Sequence, residues 1–287
     1  MLTTTGRRLL GAAVACVLLI GMAARAEAGA IFLTGHDPDF HAIEGANSLG
    51  AMNINTTAID FILDPLFNPF VATAPKFLFV ESKGTVPALH TQGKTGIVVS
   101  GYGEGVDFDH HDFSTLDAAL DLLGTVGGYS GIVVASDFGG ILRQAELDIL
   151  NDRKIDIINF LNAGGGLYAM SEGNGGAGLT PGGGHFGFLP FVTSSVNLDA
   201  SEQGYTVTPF GMSLGLTSAD VNGNFSHIIF TSTGPLQVVD RNAAGAILSI
   251  AGRTQVSVPE PAVVLLFGLG LLAFARLRFR RTKTPTR

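Results

Sequence analysis

Two short stretches of the 287-residue chain concentrate side chains that can do chemistry. His36-Asp37-Pro38-Asp39-Phe40-His41 holds two imidazoles and two carboxylates on one short loop, and Asp109-His110-His111-Asp112 sets the same groups in a row. Imidazole with carboxylate suits zinc or iron, and clustered carboxylates suit calcium. His36, Asp37, Asp39, His41, Asp109, His110 and His111 are therefore candidate ligands of a divalent cation. Neither spacing reproduces a defined metal motif, and the competing reading is Asp and His serving turns and helix caps. A third stretch, Ser171-Glu172, offers a hydroxyl nucleophile and a carboxylate base. With His36 and Asp37 it could form a hydrolytic crevice. It has no Gly-x-Ser-x-Gly elbow, so the competing reading is a polar strand end that caps a glycine-rich turn. Asp220-Val221-Asn222-Gly223-Asn224 alternates oxygens like part of a calcium loop but lacks the distal Glu, which favours a turn. Gly164-Gly165-Gly166 and Gly182-Gly183-Gly184 lack the Lys-Ser/Thr pair of a phosphate loop.

The elements that must position these groups are short apolar strands alternating with helical patterns. Strands are expected at 30–35, 76–80, 96–100, 129–136 and 167–171. Helices are expected at 43–63, 114–123 and 144–161, the last stopped by Asn162-Ala163-Gly164. Continuous apolar strands separated by helices predict a doubly wound α/β domain with a mostly parallel sheet covered on both faces. After about residue 185 the pattern changes to strands at 227–231, 236–240 and 246–251, which should close the sheet edge rather than build a second domain. Loops leaving the carboxyl ends of parallel strands share one crevice. That crevice should gather 35–41, 101–112, 137–140 and 171–174.

The two ends carry an address. Arg7-Arg8, the apolar run Leu9 to Ala24 and Ala26-Glu27-Ala28 are in the order of a secretory signal peptide, residues 1–28. A retained anchor and a lipid-modified Cys16 are the competing readings. Removal at Ala28 discards Cys16, the one cysteine, and leaves no thiolate for zinc or catalysis. Residues 256–287 contain Pro259-Glu260-Pro261, an uncharged run from Ala262 to Ala275 and six basic side chains from Arg276 to Arg287. That run is short against the roughly 20 residues of a full span, but Leu277 and Phe279 extend it if the arginines snorkel. Basic residues stay on the cytoplasmic side, which puts a domain of residues 29–255 outside. Between residues 29 and 258 there are 8 basic and 22 acidic side chains, a net charge of −14. So acidic a body argues against binding a nucleic-acid backbone.

The triplet, short apolar segment and arginine-rich end resemble the PEP-CTERM sorting tail. That resemblance implies export through the translocon, cleavage by signal peptidase, membrane insertion of the C-terminal helix and processing by an exosortase near the triplet. It points to bacteria that make extracellular polysaccharide. The stretches YSGIVVASDFGG and FLNAGGGLYAMSEGNGG are similar to the class I glutamine amidotransferase-like fold over roughly residues 30–190. This resemblance implies a flavodoxin-like α/β core with a nucleophile elbow near Met170 to Gly175. No cysteine stands there, so it implies the fold and not the thiol chemistry. The expectation is an exported, membrane-tethered or exosortase-processed surface protein with a non-catalytic domain that binds a small or saccharide ligand. The alternative is an extracytoplasmic hydrolase acting through Ser171, Glu172, His36 and Asp37.

Overall fold

The computed structural model describes residues 29–172, 179, 185–189, 191–197 and 203–254. The chain divides after Gln255, and the account below concerns the first unit. Five strands run parallel: β1 (Gly29–Thr34), β2 (Lys76–Val80), β3 (Phe108–His111), β4 (Tyr129–Val134) and β5 (Gly166–Ala169). Five more extend the sheet by antiparallel pairing: β6 (Ser194–Asn197), β7 (Thr206–Val207), β8 (Ile228–Ser232), β9 (Gln237–Arg241) and β10 (Ile247–Thr254). The order is β3-β2-β4-β5-β1-β10-β8-β6, with β9 on β10 and β7 on β9. The late strands thus close onto β1 within one mixed sheet.

The helices among the described residues are α1 (Pro38–His41), α2 (Ser48–Ile62), α3 (Gly93–Val99), α4 (Leu116–Leu120), α5 (Gln144–Asp152), α6 (Lys154–Asn162), α7 (Pro209–Leu214) and α8 (Ser218–Val221). Strand side chains alternate between two cores, as the two-residue period requires. Ile31, Leu33, Leu78, Val80, Ile132 and Val134 meet α4, α5 and α6 through Leu116, Leu147, Leu150, Ile157 and Phe160. Phe32, Phe77, Phe79 and Val133 meet α2 and α3 through Ile54, Ala58, Ile59, Ile62 and Ile97. Each fully buried Phe, Ile or Leu contributes roughly 1.5–3 kcal/mol.

The strand order has a simple relation to the doubly wound folds. Counting from β2, the order β3-β2-β4-β5-β1 reads second, first, third, fourth, and then the strand that begins the chain. That is the flavodoxin-like order with its fifth strand supplied by the N-terminus, a circular permutation. The winding direction reverses between β2 and β4. The switch-point crevice therefore opens where Glu81 and Ser136 leave these two strands.

Three sequence expectations need correction. Residues 96–100 are not a strand: Gly93–Val99 is α3, and the third parallel strand is β3. A short β-branched run fits a buried strand or a helix equally well, and burial decides. Ile97 is buried while Val98 and Val99 are about half exposed, which is one-sided helical burial. The helix expected at 144–161 is broken at Arg153 into α5 and α6. The Arg153 guanidinium binds Asp117 of α4, Asp121 at its C-cap and Asp156 of α6. The helix expected from residue 43 starts at Ser48, where Asn47 caps it by accepting from the Gly50 amide. The signal peptide, the Pro259-Glu260-Pro261 triplet and the transmembrane sorting helix lie outside the described residues. Among those described, no helix is long and apolar enough to cross a membrane.

Candidate functional site

The crevice is filled from within. After β1 the one-turn helix α1 crosses the carboxyl edge of the sheet and delivers Asp39 to the switch point. Asp39 Oδ2 accepts from the Ser136 amide at 2.9 Å, and Oδ1 from the Ser136 hydroxyl at 2.7 Å and the Phe40 amide at 3.0 Å. Glu81, the first residue after β2, accepts from the amides of Gly93, Lys94 and Ile141. Both carboxyls are fully buried. Burial pushes Asp39 up to about 7 against the pull of its Ser136 bonds, and pushes Glu81 up to about 8 with help from the neighbouring Asp39 charge. Gly93 runs between them: a side chain there would strike Asp39 Oδ2 and lie 3.1 Å from Glu81 Oε1.

His36 points away from this pair. Its Nδ1 lies 2.8 Å from the Phe225 carbonyl and its Nε2 3.0 Å from Asp240 Oδ2. Both partners are acceptors, so both ring nitrogens carry protons and the buried ring is an imidazolium. Burial opposes that charge, but Asp240 and the Phe225 carbonyl outweigh it and raise the pKa. Asp37 faces two other imidazoles, His41 Nε2 at 3.2 Å and His227 Nε2 at 3.3 Å. Burial would raise Asp37, yet His227 and His41 hold it below the usual carboxylate range. Phe138 stacks on His227 with centroids 4.0 Å apart.

Ser171 and Glu172 follow β5. The Ser171 amide donates to the His36 carbonyl, and its carbonyl accepts from the Asp137 amide. The backbones of the proposed hydrolytic pieces thus meet, but the His36 ring is committed to Asp240. Among the described residues, Ser171 Oγ and Glu172 Oε1 are buried without a hydrogen-bond partner, while Glu172 Oε2 accepts from the Phe186 amide at 2.7 Å. Burial, with Asp137 nearby, pushes Glu172 up to about 8. Neither Ser171 nor Glu172 has the left-handed backbone that Phe186 and Leu89 adopt.

The second histidine group lies elsewhere. Asp109, His110 and His111 are in β3 at the sheet edge, beside an open depression of about 570 Å³. Asp109 pairs with Lys76 at 3.0 Å, and His111 Nε2 meets the Tyr129 hydroxyl at 2.9 Å. His110 faces the other side, its Nε2 on the Glu81 carbonyl at 3.0 Å, and burial lowers it to about 4. Among the described residues no three His, Cys, Asp or Glu side chains converge to hold a metal ion. Thr217 caps α8 and its amide donates to Asp220 Oδ2 at 2.7 Å, so Asp220 and Val221 end that short helix and 222–224 form the turn after it.

Sequence reasoning missed Glu81 and Ser136. Glu81 directly follows β2 and Ser136 lies two residues beyond β4, and that position at the carboxyl ends of parallel strands is the usable signal. A strand at 96–100 would instead place the loop from residue 101 onward in the crevice, and that strand is α3. No curated protein matches the chain. Residues 257–281 match the PEP-CTERM protein-sorting motif, which marks an exported protein sorted to the cell envelope or surface.

Proposed function

We propose that this is an exosortase-processed surface protein whose α/β domain binds a small or saccharide ligand and does not transform it. The sorting-motif match supports the address. The non-catalytic reading rests on His36. A general base needs a free nitrogen lone pair, and both His36 nitrogens face acceptors. The switch-point crevice also holds the chain's own Asp39 and Glu81, tied to backbone amides.

The experiment has two arms. Cells expressing the chain are fractionated and the mature termini sequenced; the expected product starts near Gly29 and is processed near Pro259-Glu260-Pro261. Replacing that triplet by alanines should leave the C-terminus unprocessed. A cytosolic product that keeps Met1 and Arg287 would refute the sorting reading. In the second arm the purified chain is screened against ester, amide and glycoside substrates.

The hydrolase reading has one supporting observation, the unpartnered Ser171 Oγ and Glu172 Oε1 at the end of β5. It requires turnover that Ser171→Ala or Glu172→Gln abolishes with thermal stability unchanged. The non-catalytic reading expects no turnover in the parent chain and effects of these substitutions on stability alone.

A further inference from the structure

The opposite end of the strands carries a depression that the switch point does not use. β10 runs antiparallel to β1 and sets Arg253 opposite Ala30, so Arg253 stands at the amino ends of the parallel strands, away from Asp39 and Glu81. There the last turns of α2, the loop after it, the end of α7 and Arg253 line an open depression of about 560 Å³. Ligand sites occupy roughly 300–1,000 Å³.

The Arg253 guanidinium is fixed from three sides. It lies over the rings of Phe67 and Phe61, 3.7 and 4.6 Å from their centroids, and Nη2 donates to Asp64 Oδ2 at 3.0 Å. A guanidinium carries five N–H donors in a rigid fork, and this side chain is 26% exposed, so donors are left over for an occupant. The other polar groups accept. The Thr56 hydroxyl donates to the Met52 carbonyl at 3.0 Å and the Ser213 hydroxyl to the Phe210 carbonyl at 2.6 Å, so each has only lone pairs to offer. Asp60 takes the Tyr102 hydroxyl on Oδ1, which leaves Oδ2 as an acceptor. Phe61, Leu63 and Leu214 add apolar surface.

An occupant must therefore donate several hydrogen bonds, accept from a guanidinium and present an apolar face. It must also carry no negative charge. Asp60 and Asp64 outnumber Arg253, and the carboxyl end of α2, the negative pole of a helix, points the same way. A ring of hydroxyls with C–H faces meets all four conditions. The other depressions do not offer such a set. The one beside β3 spends Asp109 on Lys76 and Tyr129, and His111 on Tyr129 and Thr115. The one beside Arg153 has its guanidinium taken by three aspartates. We propose that the depression between α2, α7 and Arg253, and not the switch-point crevice, is the ligand site of the domain, and that it takes an uncharged sugar ring. This inference rests on the ligand-binding reading above and gives it a place and a chemical class.

The test is calorimetric titration of the purified chain at neutral pH. The probes are the methyl glycosides of glucose, galactose and mannose, and the same rings with a carboxylate in place of the primary alcohol. At least one neutral glycoside should bind, and its carboxylate counterpart should bind roughly tenfold more weakly or not at all. Ser213→Trp fills the depression from an exposed helix position, and Asp60→Asn removes a charged acceptor while keeping the shape. Each should weaken binding by roughly tenfold or more with thermal stability kept. Asp60→Asn serves alone if Ser213→Trp does not fold. A neutral glycoside that binds the parent and both folded variants equally would overturn this site and leave the saccharide reading standing. Carboxylate forms that bind as tightly as the neutral ones would overturn the chemical class. No binding of any probe up to about 50 mM would overturn both this inference and the saccharide reading.

Discussion

The His36–Asp240 pair shows how a residue chosen as a catalytic candidate serves the fold instead. It joins the loop after β1 to β9, so the parallel and antiparallel halves of the sheet share one buried charge pair. Such a pair adds little net stability, but removing one partner strands the other charge. His36→Ala leaves the Asp240 carboxylate buried and alone, since Oδ1 has no hydrogen-bond partner already. The expected loss is about 3–5 kcal/mol in chemical denaturation. A loss under about 1 kcal/mol would mean that the pair is uncharged or that water replaces the ring. The sequence displayed this histidine plainly, but its role depends on residue 240, which is brought to it only by the fold.

Helix α3 carries the clearest lesson at the level of elements. Its apolar run reads as a strand, yet it packs on α1 so closely that Gly96 touches the backbone of Asp39. A methyl group at residue 96 would overlap the Asp39 carbonyl, and backbone cannot step aside as a flexible side chain can. Gly96→Ala should therefore cost about 1–3 kcal/mol and loosen the segment that seats Asp39. Val98→Ala, on the exposed face of the same helix, should stay within about 0.5 kcal/mol. Equal effects at the two positions would show that the α1–α3 contact does not bear on stability. The break at Arg153 belongs to the same scale. A continuous amphipathic pattern predicts one helix, and a guanidinium serving carboxylates on two helices marks where it divides.

For the whole domain the buried ionisable groups set a pH dependence. Asp39, Glu81 and Glu172 have folded pKa values raised mainly by burial, to about 7, 8 and 8. Each contributes stability that is full below its unfolded value near 4 and lost as pH rises through the folded value. His36 is also raised and acts in the same sense from its unfolded value near 6.5 upward. His110 acts oppositely: lowered to about 4 by burial, it contributes stability above its unfolded value that is lost as pH falls. Above the unfolded histidine value only the losses remain. Thermal denaturation should show Tm lower at about pH 8.5 than at about pH 6.5, by at least roughly 3 °C. A flat or rising Tm over that interval would contradict the burial of these carboxyls in the folded chain.

The residues themselves determined the address, the α/β class and most of the parallel strands. Charge order and hydrophobic runs are local properties, and a sorting tail is read as a linear signal. Apolar runs at 30–35, 76–80, 129–136 and 167–171 could be buried on both faces only in a parallel sheet. What the sequence could not determine is which strand lies beside which. The permuted order puts β1 next to β5 and β10, moves the switch point to β2 and β4, and makes Glu81 and Ser136 the crevice residues. It also turns the His36 ring toward Asp240, 204 residues away in sequence, and leaves Asp109, His110 and His111 at the far sheet edge. Strand order and ring orientation come from packing between distant segments, and no local pattern of residues encodes them.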